Sequence, residues 1–228
     1  MAKKSQRSRR AAGGKSIARS TAQSLAEQLA SIGREFHSRG WARGTSGNYS
    51  AILYREPLKL LITSSGLDKS ALAANDFLEI DGDARVLRGK GKPSAETFLH
   101  VAIARSRNVG CILHTHSVWS TLLSERHSDA GGIAIAGYEM LKGLEGIAAH
   151  AHREWIPIFE NSQDIPALSE KVSAMLQRER GVHGFLLSGH GLYTWGTDIA
   201  QARRHVEILE FLLEVVGRRE FSGASAAE

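Results

Sequence analysis

The chain has 228 residues, 42% hydrophobic and 23% charged, with a net charge of +5, the profile of an ordinary globular protein of one or two domains. No apolar run approaches the roughly 20 residues that a membrane-spanning helix needs, and the first residues lack the apolar core of a secretory signal. A single cysteine, Cys111, excludes an internal disulfide and fits a reducing compartment, so we expect a cytoplasmic protein without a membrane partner.

Residues 1–20 account for the positive net charge. They hold seven Lys or Arg and no acidic residue, whereas the rest of the chain carries 22 basic and 24 acidic side chains, a net charge of −2. A short basic segment rich in Ser and Gly cannot bury enough apolar surface to fold, so we predict a disordered extension. No aromatic residue or binding motif accompanies this charge, and we therefore expect no nucleic-acid partner. One folded domain is predicted over residues 21–228.

Hydrophobic spacing predicts four helices. They cover residues 21–38, 94–107, 164–180 and a last stretch that ends at about residue 217. Gly40 suits the end of the first helix because glycine readily adopts the left-handed conformation found there. Ser94 is predicted to cap the second helix, and Thr197 or Asp198 the last, since their side chains can accept hydrogen bonds from the first turn.

Apolar runs predict strands at residues 58–63, 110–116 and 154–160, and two strands within 184–195 that are joined around a Gly-rich turn. Pro157 indicates an edge strand or an irregularity, because proline has no N–H to donate. Strands and helices alternate along the chain. We therefore predict one α/β domain in which helices cover both faces of a sheet.

Two histidines interrupt the apolar run CILHTHSVW at residues 111–119. Side chains at positions i and i+2 of a strand point to the same face, so His114 and His116 are predicted to be neighbours. Two adjacent imidazoles in an apolar strand would each need a hydrogen-bond partner and would repel each other if both were protonated. Zinc removes both difficulties because it binds neutral imidazole nitrogen at about 2.0–2.1 Å. The pair therefore favours a metal site over two hydrogen-bonded core histidines.

A catalytic zinc needs three protein ligands and an open position. His190 is the best third candidate because it lies between glycines directly after an apolar run, although a turn histidine is an equally good interpretation of that residue alone. A second closely spaced pair, His150 and His152, has no evident strand around it and is predicted to lie in a solvated loop. The remaining histidines are predicted to be structural or exposed: His37, His100, His127, His183 and His205.

The HTHS sequence followed further along by a Gly-flanked histidine resembles the class II aldolase and adducin family. EMLKG at residues 139–143 and HGLYTWG at 190–196 resemble members of that family that dehydrate a phosphorylated keto sugar. The resemblance covers about residues 21–217. It implies one Zn²⁺ per subunit, held by His114, His116 and His190.

The same resemblance implies a single three-layer α/β/α domain around a mixed, largely antiparallel sheet. It also implies a homotetramer with active sites near the subunit boundaries. Two alternatives stay open: another zinc-dependent sugar-phosphate aldolase or epimerase of this fold, and a non-catalytic, adducin-like interaction module. A non-catalytic interaction module would be expected to lack the zinc ligands, but all three matching histidines are present here.

Three short polar stretches, GTSGN at 44–48, SSG at 64–66 and PSAE at 93–96, match phosphate-binding segments of the family. Small residues let backbone N–H groups approach a phosphate, and hydroxyl groups add donors. The candidate residues are Thr45, Gly47, Asn48, Ser64, Ser65, Gly66 and Ser94. Each stretch by itself is only a turn signal. Lys69, close to the second stretch, is predicted to be a surface charge.

Two carboxylates compete for the acid–base role. Glu96 occupies the position at which aldolases of the family place a catalytic Glu, and Glu139 occupies the position of the acid–base residue proposed for the dehydratases. A surface or capping carboxylate is the alternative interpretation for each. The residues therefore leave open which of the two moves protons.

Overall fold

The computed structural model describes residues 21–149 and 151–222, so the predictions for residues 1–20 and for His150 lie outside the described part. Nine strands form one sheet in the order β4-β3-β2-β1-β5-β9-β8-β7-β6. They are β1 (Asn48–Arg55), β2 (Leu58–Thr63), β3 (Phe77–Asp81), β4 (Val86–Arg88), β5 (Cys111–Thr115), β6 (Gly132–Ala136), β7 (Arg153–Phe159), β8 (Gly184–Leu187) and β9 (Gly191–Gly196). All neighbouring strands are antiparallel except β7 and β8. The predicted mixed, largely antiparallel sheet is confirmed.

Five α-helices flank this sheet within the described residues. They are α1 (residues 21–38), α2 (Thr97–Ser106), α3 (Val118–Arg126), α4 (Ile165–Arg178) and α5 (Ile199–Ser222). Three short 3-10 helices cover Lys69–Ala71, Ala74–Asp76 and Glu139–Gly143. We call the last of these the EMLKG segment.

Alternating side chains of the strands build a core on each face of the sheet. In β2, Leu60 and Ile62 pack with α2 and α4, whereas Leu61 packs with α1 and the start of α5. A third cluster joins α3, the EMLKG segment and the rest of α5 to the strands from β6 to β9. The helices therefore lie on both faces, with α2 and α4 on one and α1, α3 and α5 on the other, and the predicted three layers are confirmed.

Most of the predicted elements are present, with two corrections. The predicted helix 94–107 begins at Thr97, with Glu96 in the N-cap position and no side-chain cap. Ser94 instead opens a turn, because its backbone carbonyl accepts a hydrogen bond from the N–H of Thr97 at 3.1 Å. Pro157 lies in β7, which is not an edge strand. Pairing of β7 with β8 starts only at Ile158, so the missing N–H of the proline costs no ladder bond on that side.

Four strands and one helix were not predicted: β1, β3, β4, β6 and α3. The helix α3 buries the small polar side chains of Ser120 and Ser124, so it lacks the apolar stripe by which helices are found. Its start did carry a signal, since Ser117 accepts a hydrogen bond from the N–H of Ser120 as an N-cap does.

One end of the sheet brings together several of the residues that the sequence predicts to form the site. Asn48 at the start of β1 pairs with His114, and Thr115 at the end of β5 pairs with Leu192 near the start of β9. The end of β2 joins them, because the N–H of Tyr49 donates to Oγ1 of Thr63 at 3.1 Å. We call this the histidine end of the sheet. In the part of the chain that the structure describes, no helix is long and apolar enough to cross a membrane.

Candidate metal centre and phosphate-binding region

Three imidazoles converge at the histidine end: His114 in β5, His116 just after it, and His190 in the turn before β9. Their Nε2 atoms are 2.8 Å (His114 to His116), 3.1 Å (His116 to His190) and 3.3 Å (His114 to His190) apart. Tetrahedral zinc with nitrogen ligands at about 2.0–2.1 Å would separate those nitrogens by roughly 3.3–3.4 Å. The spacing of this three-histidine cluster therefore fits one zinc ion.

Hydrogen bonds at the far side of two rings orient the cluster. Nδ1–H of His114 donates to the backbone carbonyl of Leu192 at 3.0 Å, and Nδ1–H of His190 donates to Oδ1 of Asn161 at 3.3 Å. A neutral imidazole protonated at Nδ1 presents a lone pair at Nε2. Both rings therefore direct a lone pair to the shared point, the arrangement usual for metal-binding histidines.

Burial keeps the cluster uncharged. It lowers the pKa of His116 to about 3, and the neighbouring His190 and Lys69 add to the effect. Burial also holds the pKa of His114 well below its usual range and lowers that of His190, which the charge of Glu96 raises in part. Near neutral pH the three rings are therefore neutral, the form that binds metal.

Glu96 extends into the cluster from the N-terminal end of α2. Its Oε1 lies 3.2 Å from Nε2 of His190 and 3.9 Å from Nε2 of His114. Its other oxygen accepts a hydrogen bond from the side-chain amide of Asn48 at 2.6 Å. One carboxylate oxygen is thus directed to the histidines while the other is held by the protein.

A buried relay behind Glu96 was missed in the sequence analysis. Nε2–H of His100 donates to Oδ1 of Asn48 at 2.5 Å, and the hydroxyl of Ser50 donates to Nδ1 of His100 at 2.7 Å. Burial lowers the pKa of His100 to about 3, so the ring is neutral. The relay fixes the orientation of the Asn48 amide, and with it that of Glu96. The spacing of Glu96 and His100, one helical turn apart, was the signal available in the sequence.

Two of the predicted phosphate-binding stretches meet at the histidine end with glycines in left-handed conformations. Gly47 has φ +77°, and a Cβ there would lie 2.8 Å from the backbone oxygen of His114. Gly66 also has φ +77°. Only glycine adopts these angles without strain, so the turns depend on it.

The donors of the 64–66 stretch are partly used within the protein. The N–H of Ser64 donates to the carbonyl of Asp76 at 2.8 Å, and that of Ser65 donates to the carbonyl of Lys92 at 2.9 Å. Thr45, Ser65 and Gly66 are exposed, while Ser64 is buried. A phosphate at this stretch would therefore meet hydroxyl groups rather than these two N–H groups.

Lys69 is buried, and its prediction as a surface charge was wrong. Its ammonium group donates to the carbonyl of Thr45 at 3.1 Å and to that of Leu67 at 2.8 Å. It thereby joins the 44–48 stretch to the loop after β2. Burial lowers the pKa of Lys69, and neighbouring Asp68 opposes the shift. The tertiary fold, rather than local sequence, encloses this cation between the two loops.

Glu139 lies in another part of the molecule from Glu96. Its EMLKG segment packs on the α5 side of the sheet, through buried Leu141, whereas Glu96 belongs to the α2 side. The Glu139 side chain is 74% exposed and accepts a hydrogen bond from Nζ of Lys142 at 2.6 Å. Among the residues that the structure describes, Glu96 is therefore the carboxylate that the fold places against the cluster.

His152, predicted to be a solvated loop residue, is half-buried. Its Nε2 lies 2.8 Å from Oε2 of the buried Glu154. Of the remaining acids, Glu210 of α5 is buried and accepts a hydrogen bond from the hydroxyl of Thr115 at 2.7 Å. Burial raises the pKa of Glu210 to about 7.

Comparison with protein families decides the assignment of the fold. The family described as "Class II Aldolase and Adducin N-terminal domain" matches residues 27–216. The chain belongs to the class II aldolase and adducin family. The family match covers the sheet, the three-histidine cluster and all three predicted phosphate-binding stretches.

Curated relatives and solved structures agree with this family. The chain is 42% identical to a methylthioribulose-1-phosphate dehydratase from Sorangium cellulosum, over 84% of this chain and 90% of the relative. It is 45% identical to a protein of the same name from Methylococcus capsulatus, over 85% of this chain and 93% of the relative. Among solved structures, L-fuculose-1-phosphate aldolase from Thermus thermophilus has a TM-score of 0.69 at 20% identity, over 90% and 98% of the two chains. That last likeness concerns the fold alone.

Proposed function

We propose that this protein is a zinc-dependent methylthioribulose-1-phosphate dehydratase. It would convert 5-methylthioribulose 1-phosphate into 2,3-diketo-5-methylthiopentyl 1-phosphate and water, a carbon–oxygen lyase step of methionine salvage. The observation that carries the proposal is the convergence of three Nε2 atoms within 3.3 Å of one another in a chain that is 42–45% identical to relatives named for this activity.

The donor set supports zinc in preference to harder cations. It consists of three neutral imidazoles, whereas magnesium and calcium prefer oxygen ligands. A bound zinc would act as a Lewis acid that polarises the substrate carbonyl and favours loss of the neighbouring C–H proton.

The proton transfers fall to the carboxylates. Dehydration removes the proton at C3 and the hydroxyl at C4, and the resulting enol becomes the diketone by moving one proton. A carboxylate that accepts the C3 proton can later deliver a proton to the departing hydroxyl. Glu139, on the α5 side of the sheet, is the first candidate for this role because it occupies the position of the acid–base residue proposed for the dehydratases. Glu96 is the second candidate, since its Oε1 lies 3.2 Å from Nε2 of His190.

The phosphate would bind at the exposed loops beside the cluster. Thr45 and Ser65 offer hydroxyl groups there, and the buried ammonium of Lys69 adds positive charge behind them. Gly47, Gly66, Ser64 and Ser94 would shape the pocket, and Asn48 would act through Glu96. Phosphate recognition by hydroxyl groups and a buried cation needs no large basic surface.

Mass analysis of the products from 5-methylthioribulose 1-phosphate tests the activity. A dehydratase yields one product that is lighter than the substrate by one water, with its five-carbon chain intact. An aldolase yields two fragments, and an epimerase yields an isomer of unchanged mass. Two fragments, or an isomer, would contradict the proposal.

An aldolase is the second candidate function, and one observation favours it. Glu96, the residue in the position of the aldolase carboxylate, is the one that approaches His190 and His114. The same position would let Glu96 deprotonate a hydroxyl whose adjacent carbon–carbon bond then breaks. The product analysis above separates the two chemistries directly.

The proposed assembly is a cytoplasmic homotetramer. Large apolar side chains are exposed on three elements of the α5 side: Val118 and Leu122 of α3, Met140 of the EMLKG segment and Phe211 of α5. Burial of such side chains against a second copy would stabilise an oligomer. Light scattering coupled to size-exclusion chromatography measures the number of chains in the assembly.

A further inference from the structure

The backbone of Glu145, two residues beyond the EMLKG segment, is held by two buried histidines. Nε2–H of His183 donates to the carbonyl of Glu145 at 2.8 Å, and the N–H of Glu145 donates to Nε2 of His205 at 3.2 Å. His183 directly precedes β8, and His205 lies in the second turn of α5. We call His183 and His205 the histidine clamp.

The partners of each ring determine its protonation. Nδ1 of His183 faces the carboxylate of Glu154 at 3.0 Å and its Nε2 faces a carbonyl, so both nitrogens must donate and the ring is an imidazolium. Nδ1–H of His205 donates to the carbonyl of Trp195 at 2.7 Å, while its Nε2 accepts from Glu145. His205 is therefore neutral. The clamp needs one charged and one neutral ring, with centroids 5.5 Å apart.

The electrostatic surroundings favour this division of charge. Burial alone would lower the pKa of His183, but the hydrogen bond and charge of Glu154 more than offset it and raise the pKa. Burial lowers the pKa of His205, and the charge of His183 adds to that shift. The titratable and charged groups that face the clamp are Glu154 of β7, His152 before it, Arg204 of α5 and the Glu145 side chain, which accepts from Gln201 at 2.6 Å.

Two contacts show in which direction residues 143–145 run along α5. A Cβ on Gly143 would lie 2.4 Å from Cδ1 of Ile208, and Glu145 meets His205, so over these residues the chain runs antiparallel to α5. From Gly143 toward Glu139, the EMLKG segment therefore runs toward the part of α5 that holds Glu210. Glu210 accepts from Thr115, which lies between two members of the three-histidine cluster.

We propose that the histidine clamp positions Glu139 by fixing the C-terminal end of the EMLKG segment. Leu141 within the segment and Leu144 just after it are buried, but the two clamp bonds define the position of the segment along α5. His183 and His205 act through Glu145 and are positioning residues, without contact to the substrate. The inference rests on the proposed function only in assigning a catalytic role to Glu139.

His152 offers a matched control. Like His183 it meets the carboxylate of Glu154, at 2.8 Å, and both residues line a cavity of about 430 Å³ that opens beside the clamp. The clamp bonds to the Glu145 backbone come from His183 and His205. His152→Gln therefore alters the Glu154 pair and leaves the clamp bonds in place.

Hydrogen–deuterium exchange tests the clamp without any substrate. We expect His183→Gln to speed exchange across residues 139–147 by tenfold or more, with His152→Gln close to wild type and zinc content equal in all three proteins. Equal exchange of this stretch in His183→Gln and wild type would overturn the proposal. If His183→Gln does not fold, nitrogen NMR of the imidazoles in the wild-type protein still tests the proposal. His183 must be protonated at both nitrogens and His205 at Nδ1 only, and any other pattern contradicts the clamp.

A double-mutant cycle tests the connection to Glu139. His183→Gln should lower kcat by tenfold or more with little change in KM, whereas the same change in a Glu139→Gln background should lower it no further. Independent, multiplicative losses would show that His183 does not act through Glu139. A fully active Glu139→Gln enzyme would end the role of Glu139 in the proposed function, and the exchange experiment would still report on the clamp.

Discussion

Oε1 of Glu96 lies 3.2 Å from Nε2 of His190, although the two residues are far apart in the chain. The contact places a carboxylate at the edge of the proposed zinc site, on the α2 side of the sheet. Glu139 belongs to the α5 side and is 74% exposed. The two candidate acid–base residues thus belong to different faces of the sheet, and they can be tested separately.

Replacing each carboxylate by its amide distinguishes their roles. Loss of a general acid–base group typically costs about 10²–10⁴-fold in rate, so the residue that moves the C3 proton should show this fall in kcat with little change in KM. We expect a fall of this order for Glu139→Gln and a milder one for Glu96→Gln if the enzyme is a dehydratase, and the reverse if it is an aldolase. Exchange of the C3 proton with solvent deuterium measures the abstraction step. A nearly wild-type rate for Glu139→Gln would transfer the role to Glu96.

The metal assignment predicts the zinc content of the purified protein. Wild type should hold about one zinc per chain, since three neutral imidazoles converge on one point. His116→Ala should lose both the metal and the activity. His127→Ala is the control, because His127 lies outside the three-histidine cluster and pairs with Glu220 at 3.1 Å in a half-buried contact. Elemental analysis measures the zinc, and equal content in wild type and His116→Ala would contradict the site.

The buried Lys69 predicts a specific effect on phosphate binding. Lys69→Met removes the positive charge between the two loops, and hydrogen bonds that involve charged groups contribute about 1.5–3 kcal/mol, so KM for the phosphorylated substrate should rise roughly tenfold or more. Inhibition by inorganic phosphate should weaken in parallel, and zinc content should not change. Lys171→Met, at an exposed site on α4, removes the same charge and should change neither KM, phosphate inhibition nor zinc content. An unchanged inhibition constant in Lys69→Met would exclude Lys69 from the phosphate site.

The Glu154–His183 pair predicts how stability depends on pH. The pKa of His183 is raised from 6.5, so its contribution is complete below 6.5 and is lost as pH rises through the folded value. Burial would raise the pKa of Glu154 from 4.5, but its histidine partners lower it. Its contribution is therefore complete above 4.5 and is lost as pH falls through the folded value. The pair should therefore stabilise the fold most between about pH 4.5 and 6.5. Urea unfolding at several pH values should show this window in wild type, and it should be absent in a Glu154→Gln, His183→Gln double variant.

Residues 1–20 are predicted to be dispensable for activity. Deletion of residues 1–20 removes seven basic side chains and no acid, so the isoelectric point should fall while turnover is unchanged. Steady-state kinetics of the shortened protein measure this. A large fall in kcat with an intact fold would show that the tail contributes to a site.

Local sequence determined the elements whose side-chain pattern is regular. The strand 58–63 and the helix 21–38 follow from apolar periodicity, and the two-residue spacing of His114 and His116 was enough to predict that their rings would meet. These features depend on the direction of successive side chains, which is a property of the local backbone.

The tertiary structure alone decided which distant residues meet and which charges are buried. It enclosed Lys69 between two loops, connected His100 through Asn48 to Glu96, and set His183 and His205 on the two backbone polar groups of Glu145. Each of these contacts joins segments that approach only when the sheet and its helices pack, and of the three only the His100–Glu96 connection had a local signal, the one-turn spacing of those two residues. The sequence specifies the chemistry of a side chain, but packing determines its burial and its hydrogen-bond partners. Burial and partners in turn determine whether a histidine can bind a metal, hold a backbone segment or orient a neighbouring side chain.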